Sequence, residues 1–169
     1  LAYSTGFESE DGFTAATVYN NDAEALSGPA EFQWATRYGS PSTTAAIIGS
    51  QSMQMRWYRA ASGSHTMDPI YTYTNFATAN ATRIVFFAAN QTGINVEVTI
   101  SVDGGTTWIA PEVFTLTTTA TEYTYEVPED YRTEEVMFKF TMVVPDPIPT
   151  SDGRLYIDDV EIYGIDDSE

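Results

Sequence analysis

The stretch that decides the fold is Asn95-Val96-Glu97-Val98-Thr99-Ile100-Ser101-Val102-Asp103-Gly104-Gly105-Thr106-Thr107-Trp108. Polar and apolar residues alternate over residues 95–102, which predicts a β-strand with one buried face. Asp103-Gly104-Gly105 then predicts a hairpin turn, because glycine accepts a positive φ without a Cβ penalty. A return strand is expected to begin at residues 107–109, so the local architecture is an antiparallel hairpin.

Runs rich in β-branched and aromatic residues, separated by Gly, Pro, Asn and Asp, extend this pattern through the chain. Further strands are predicted at residues 51–59, 83–89, 114–118, 122–127, 135–143 and 155–163. Residues 115–121 are expected to form a solvated edge strand, and the proline-rich residues 145–149 an exposed loop. A helical turn is expected only at residues 22–26. The pattern predicts an all-β chain, an antiparallel β-sandwich with jelly-roll topology and adjacent first and last strands, forming a single domain over residues 1–169.

Composition narrows the function classes. The chain has no cysteine, which excludes disulfides, thiolate metal sites and thiol nucleophiles. Its formal net charge of −17 and lack of a basic stripe argue against a nucleic-acid partner. No apolar run is long enough for membrane insertion, and no signal-peptide core is present. The absence of cysteine leaves the compartment open, and we expect a module excised from a longer protein.

The hairpin also fits a known turn pattern. Ser101, Asp103, Gly105, Thr107 and Trp108 match the Asp-box spacing Ser-x-Asp-x-Gly-x-Thr-Trp, in which the Asp side chain caps the turn. Asp boxes recur in sialidase-like propellers, but a propeller needs repeated blades and the chain has one copy. The pattern therefore indicates a well-formed hairpin, with Trp108 packed in or near the core.

Two acidic segments carry a family resemblance. With Phe7-Glu8 near the start and Ile157-Asp158-Asp159-Val160 near the end, the chain resembles the β-jelly-roll carbohydrate-binding modules of secreted bacterial polysaccharide-degrading enzymes. That resemblance implies a non-catalytic module that binds a polysaccharide. It also implies a secreted or cell-surface protein in which the module is covalently linked to catalytic or anchoring domains. It also implies a structural calcium ion with Glu8 and Asp158 as side-chain ligands, Asp159 as a second choice, and backbone carbonyls completing the oxygen shell. The alternative is that Glu8 and Asp158 only cap strands or pair with Arg154.

Sugar rings stack their C–H faces on aromatic rings and exchange hydrogen bonds with polar side chains. Residues that combine these properties suggest a groove on one sheet face, bordered by loop aromatics, and Tyr71 and Tyr73 form another aromatic run. The predicted ligand-binding residues are Trp34, Tyr38, Gln54, Arg56, Tyr58, Glu97 and Lys139. Of these, Arg56, Tyr58, Glu97 and Lys139 are expected to converge in the groove, while Trp34 and Tyr38 stack on sugars. The strand phase of Trp34 is ambiguous, so a core position is the alternative for this residue.

Two other classes of protein stay open. One is a structural or adhesive β-sandwich domain of a surface or phage protein, without a sugar groove. The other is a small jelly-roll polysaccharide lyase or hydrolase that uses Glu97 or Tyr58 as acid or base. Serine-nucleophile chemistry is disfavoured, because the single histidine, His65, lies in a predicted loop and no nucleophile elbow is present. One histidine and no cysteine also make zinc improbable.

Overall fold

The computed structural model describes residues 1–16, 24–43, 47–57, 69–145 and 153–164. These residues form strands joined by turns and loops, with 3-10 turns at Ser9–Asp11 and Glu129–Tyr131. The strands are β1 Tyr3–Thr5, β2 Ala25–Ser27, β3 Trp34–Arg37, β4 Gly39–Ser42, β5 Ser52–Trp57, β6 Tyr71–Thr74, β7 Thr78–Ala79, β8 Ala81–Gln91, β9 Asn95–Ser101, β10 Ile109–Phe114, β11 Thr121–Glu126, β12 Glu135–Val143 and β13 Gly153–Gly164. In the described part of the chain, no helix has the length and apolar character needed to cross a bilayer.

The strands build two sheets. The first sheet has the order β11-β8-β13-β5-β4, with β1 paired to β13. The second has the order β10-β9-β12-β6-β3-β2, with β7 paired to β12. The pairings are antiparallel, and Tyr3 of the first strand lies opposite Ile162 of the last. The predicted antiparallel jelly-roll sandwich, with its first and last strands adjacent, is confirmed.

Alternation along the strands places the core between the two sheets. Val96, Val98 and Ile100 of β9 are fully buried, and Phe138 and Phe140 of β12 lie beside them. Met53, Met55 and Trp57 of β5 face the same core from the first sheet. Because side chains alternate along a strand, the residues between these positions point away from the core, onto the outer face of each sheet.

The predicted strands at residues 95–102 and 135–143 are found as β9 and β12. The strand predicted at residues 114–118 is wrong, because β10 ends at Phe114. The edge strand expected over residues 115–121 is also wrong, since this Thr-rich segment is mostly an exposed turn. There the hydroxyl of Thr117 accepts a hydrogen bond from the Thr119 backbone. Threonine side chains that bond to nearby backbone groups favour such turns over a ladder.

Candidate functional site

A cluster of aromatic side chains lies on the outer face of the second sheet. Tyr71 and Tyr73 are two residues apart on β6, so their rings share that face, and both are half-buried. Their ring centroids are 5.8 Å apart, with 30° between the ring planes. Trp108 joins them, with its ring centroid 5.3 Å from that of Tyr73. We call the set Tyr71, Tyr73, Trp108, Lys139, Glu24, Glu97 and Thr99 the aromatic platform.

The Asp-box hairpin brings Trp108 to this face. The Asp103 carboxylate accepts hydrogen bonds from the Ser101 hydroxyl at 2.7 Å, the Thr107 amide at 2.9 Å and the Thr107 hydroxyl at 2.6 Å. These bonds, those from Thr107 above all, lower the pKa of Asp103 to about 2. Gly104 and Gly105 take the positive φ values that the turn requires. The expectation that Trp108 packs in or near the core is wrong, because the hairpin turns its half-buried ring onto the outer face.

Lys139 lies at the centre of the platform. It is aligned with Tyr73 on one neighbouring strand and with Thr99 on the other. Its Nζ lies 4.4 Å from the centroid of the Tyr71 ring and 4.9 Å from that of Trp108, both cation–π distances. Burial lowers the pKa of Lys139, while the charges of Glu24 and Glu97 act in the opposite direction.

Glu24 holds the two tyrosines in place. Its Oε2 accepts a hydrogen bond from the Tyr71 hydroxyl at 2.7 Å, and its Oε1 accepts one from the Tyr73 hydroxyl at 3.0 Å. Burial raises the pKa of Tyr73 to about 12, and the bond to Glu24 adds to this effect. The pKa of Tyr71 is raised for the same reasons. Both phenols therefore stay protonated at neutral pH and keep donating to Glu24.

Two polar side chains of the platform have unused hydrogen-bonding capacity. Thr99 is almost fully buried on the outer face of β9, and its Oγ1 has no hydrogen-bond partner among the described residues. The Glu97 side chain, two residues earlier on the same face, makes no hydrogen bond or ion pair with any described residue and is half-buried. Its carboxylate is therefore suited to receive the hydroxyls of a ligand, whereas the Thr99 hydroxyl is enclosed by the protein.

The structure separates the residues of the predicted groove. Glu97 and Lys139 lie on the platform, on the second sheet. Gln54 and Arg56 alternate with the core residues of β5, which places them on the outer face of the first sheet. The expected convergence of Arg56 with Glu97 and Lys139 is therefore wrong, because the two pairs lie on opposite faces of the sandwich.

Other predicted binding residues are less accessible than expected or fall outside the described ranges. Gln54 is fully buried, and neither of its amide atoms has a hydrogen-bond partner among the described residues. Tyr58 and His65 lie outside the described residues. Tyr38 is half-buried at the crossover from β3 to β4, with a φ of 59° and the Arg37 guanidinium 5.1 Å from its ring centroid.

Trp34 is a core residue. Its ring is fully buried, 5.2 Å from the Phe7 ring and 6.2 Å from the Phe140 ring, and its Nε1 donates to the Tyr3 hydroxyl at 3.0 Å. The prediction that Trp34 is a loop aromatic that stacks on sugar is wrong. The sequence could not decide its strand phase, whereas the buried partners in the structure do.

Pairing of the first and last strands brings Glu8 and Asp158 together. A methyl group on Gly6 would lie 3.5 Å from Glu8 Cγ, 3.6 Å from Asp11 Oδ2 and 3.9 Å from Asp158 Oδ1, so the three acidic side chains surround that position. Glu8 Oε1 accepts the Ser50 amide at 2.8 Å, and Asp158 Oδ2 accepts the Ile48 amide at 2.9 Å.

Asp158 is the most strongly perturbed carboxyl of this cluster. It is fully buried, and burial raises its pKa to about 7, with the charges of Glu8 and Asp159 adding to the shift. No basic side chain of the described residues contributes. A buried carboxylate beside a second one suits an oxygen-seeking cation, so the donor chemistry fits calcium with Glu8 and Asp158 as ligands.

Asp159 is exposed, at a β-bulge where its φ is 48°. Within the described ranges, no group of three or more acidic, histidine or cysteine side chains has metal-binding geometry.

Comparison with known proteins shows the fold. No protein-family model and no curated protein matches the chain. The K3 cleaved adhesin domain of Lys-gingipain from Porphyromonas gingivalis W83 superposes with a TM-score of 0.59 at 15% identity, over 96% of this chain and 98% of that one. TmCBM61 in complex with β-1,4-galactotriose gives 0.53 at 12% identity, over 95% and 94%. A carbohydrate-binding module of family 29 gives 0.52 at 15% identity, over 88% of each chain.

The chain therefore has the β-sandwich fold shared by carbohydrate-binding modules and cleaved adhesin domains.

Proposed function

We propose that the chain is a non-catalytic carbohydrate-binding module that binds a polysaccharide on the aromatic platform. The observation that carries the proposal is the grouping of three partly exposed rings, those of Tyr71, Tyr73 and Trp108, around Lys139. Structural likeness to modules such as the galactotriose-bound TmCBM61 supports this assignment.

The platform supplies the two kinds of contact that a sugar requires. Aromatic faces stack on the apolar C–H faces of a pyranose ring. The unpartnered Glu97 carboxylate accepts hydrogen bonds from sugar hydroxyls. Glu24 fixes the tyrosines in advance, which reduces the entropy lost on binding. Because the site is open and polar, we expect weak, enthalpy-driven binding at each site.

We also propose a structural calcium ion at Glu8 and Asp158. When bound, it would offset the repulsion between two carboxylates at the junction of β1 and β13. Its role is to stabilise the sandwich. Since this cluster lies beside the first sheet, it takes no part in ligand contact on the platform.

The geometry gives a hydrolase or lyase that acts through Glu97 little support. Glu97 is half-buried on an open sheet face and not in a pocket of the kind that a catalytic acid occupies. We therefore propose a binding module of a secreted or cell-surface protein, linked to catalytic or anchoring domains. The likeness to the gingipain adhesin domain favours one second candidate, an adhesive domain whose platform contacts protein rather than sugar.

Affinity gel electrophoresis against a panel of soluble polysaccharides tests the proposed function. The panel includes β-1,4-galactan, glucomannan, xylan, mixed-linkage glucan, polygalacturonate and alginate. We expect at least one of them to retard the protein, and Trp108→Ala and Tyr71→Ala each to weaken that retardation at least about tenfold.

The matched control is Tyr163→Ala on the first sheet. The Tyr163 ring also lies under a cation, with the Arg83 guanidinium 3.9 Å from its centroid, but on the opposite side of the sandwich. This variant should bind as the wild type does. If no polysaccharide retards the wild-type protein, the proposed function is wrong and the adhesive candidate is favoured.

A further inference from the structure

The charges of the platform are arranged asymmetrically. Lys139 is the only lysine of the chain, and its ammonium lies against the Tyr71 and Trp108 rings. Two carboxylates, those of Glu24 and Glu97, act on it electrostatically. Arg37, aligned with Tyr71 on the neighbouring strand, donates from Nη1 to the Pro69 carbonyl at 2.8 Å. Thus two cations are held against rings or a carbonyl, while the carboxylate of Glu97 has no hydrogen-bond partner among the described residues.

This asymmetry matters for the charge of a ligand. Glu24 is occupied by both tyrosine hydroxyls, so Glu97 is the platform carboxylate that a ligand meets with its acceptors free. Sugar hydroxyls satisfy Glu97, because a hydroxyl can donate a hydrogen bond to its carboxylate. A carboxylate on the ligand cannot donate to Glu97, which would then face a like charge without a partner.

We propose that the platform selects uncharged polysaccharides and rejects chains that carry uronate groups, with Glu97 as the residue that determines this specificity. The inference rests on the proposed function and adds the charge of the ligand to it. The net charge of −17 acts in the same direction over longer range, and salt screens it over about 8 Å at physiological ionic strength.

The test compares one backbone in two charge states. The neutral hexose polysaccharide of the panel that retards the protein most strongly is oxidised selectively at its primary C6 hydroxyls, which converts hexose units to uronates without changing the linkage; if only xylan binds, xylan is compared with glucuronoxylan of the same backbone. Affinity electrophoresis then gives dissociation constants for both forms, in low salt and at physiological salt. We expect the oxidised form to bind at least about tenfold more weakly, with the difference larger in low salt.

Glu97→Gln identifies the responsible residue. The amide keeps the size of the side chain and an acceptor oxygen but removes the charge. We expect it to reduce the difference between the neutral and oxidised forms at least about threefold, mainly by improved binding of the oxidised form. The matched control, Glu122→Gln, removes the same charge from exposed β11 on the first sheet and should leave the difference unchanged. Thermal unfolding shows that both variants are folded.

The outcomes separate the two proposals. Absence of binding to every polysaccharide overturns the proposed function and this inference with it. Two results overturn the inference and leave the proposed function standing: equal or tighter binding of the oxidised form, and strongest binding to polygalacturonate or alginate. An unchanged difference in Glu97→Gln shows that Glu97 does not determine the specificity.

Discussion

The ammonium of Lys139 lies over the Tyr71 ring, with Nζ 4.4 Å from the ring centroid, on the face that a sugar would otherwise stack on. The lysine therefore covers part of the proposed binding surface. Its position is stabilised by the ring quadrupole and by nearby Glu24 and Glu97, and opposed by partial burial of the charge. A ligand that stacks on Tyr71 has to move this side chain, which makes Lys139 a direct reporter of binding.

Isotope labelling of Lys139 checks this arrangement. Reductive methylation with 13C-formaldehyde labels the chain at its only lysine and at the α-amino group, which is the internal reference. We expect the dimethyl-Lys139 resonance to be shifted by the aromatic rings and to titrate at a pKa below the ordinary lysine value, because burial lowers it. A bound polysaccharide should move the Lys139 resonance and leave the reference unchanged. A Lys139 signal at the position of free dimethyllysine in the folded protein would contradict the platform geometry.

Asp103 positions Trp108 without touching the platform. Asp103→Ala removes the hydrogen bonds from Ser101 and Thr107 that shape the hairpin, so we expect weaker polysaccharide binding with little change in far-ultraviolet circular dichroism. Tryptophan fluorescence should become less sensitive to added ligand. Asp103→Asn keeps one acceptor oxygen, so its affinity for the polysaccharide should lie between those of the wild type and Asp103→Ala. Asp130→Ala, at an exposed turn elsewhere, is the control and should behave as the wild type.

The lowered pKa of Asp103 also makes the stability of the protein depend on pH in the acid range. The folded-state pKa of Asp103 is lowered to about 2 from an ordinary value of 3.8, so its stabilisation is present above pH 4 and is lost as the pH falls toward 2. Acid unfolding of the wild type and Asp103→Asn should therefore differ above pH 4 and converge near pH 2. Unfolding curves that stay equally far apart down to pH 2 would contradict the lowered pKa of Asp103.

The sequence predicted most of the fold because alternation is strong where one face of a strand is buried. Residues 95–102 and 135–143 illustrate this, since their apolar positions are the core residues of β9 and β12. The N-terminal strands β2, β3 and β4 were not predicted, because they are three or four residues long and show little alternation. The Thr-rich residues 115–118 have high β-propensity, yet local side-chain hydrogen bonds favour a turn there.

The site was predictable only in part. Glu97 and Lys139 were identified by strand parity, which gives the face of a sheet but not the identity of the sheet. Consequently Arg56 was assigned to the same groove as Glu97 and Lys139 although β5 lies in the other sheet. Trp108 was missed because a turn can direct its last side chain to either face. The parity of Tyr71 and Tyr73 on an alternating run was the signal that could have located the platform.

The calcium proposal predicts that chelation destabilises the fold. A ligand that binds only the folded state stabilises that state by mass action. At a free calcium concentration a thousand times the Kd, this contributes about 4 kcal/mol to the free energy of unfolding. For a chain of this size each kcal/mol corresponds to about 2–4 °C in Tm. We therefore expect EDTA to lower the Tm by several degrees, and added calcium to restore it, in differential scanning calorimetry.

Asp158→Asn makes this test specific. The substitution keeps the size of the buried side chain and removes its charge, so the variant should lose most of its response to EDTA. Asp130→Asn, in an exposed 3-10 turn, should keep the full response. A wild-type Tm that is the same with EDTA and with calcium would show that Glu8 and Asp158 are held by backbone amides alone.

The position of Trp34 predicts a stability effect without a binding effect. Because its ring fills the core between Phe7 and Phe140, Trp34→Ala should destabilise the fold by about 3–5 kcal/mol. Urea unfolding measures this loss directly. Trp34→Phe keeps most of the ring contacts but removes the hydrogen bond to Tyr3, so it should cost less and leave polysaccharide affinity unchanged. A folded Trp34→Phe variant that loses affinity as Trp108→Ala does would show that Trp34 acts in binding and that its burial does not persist when the ligand is bound.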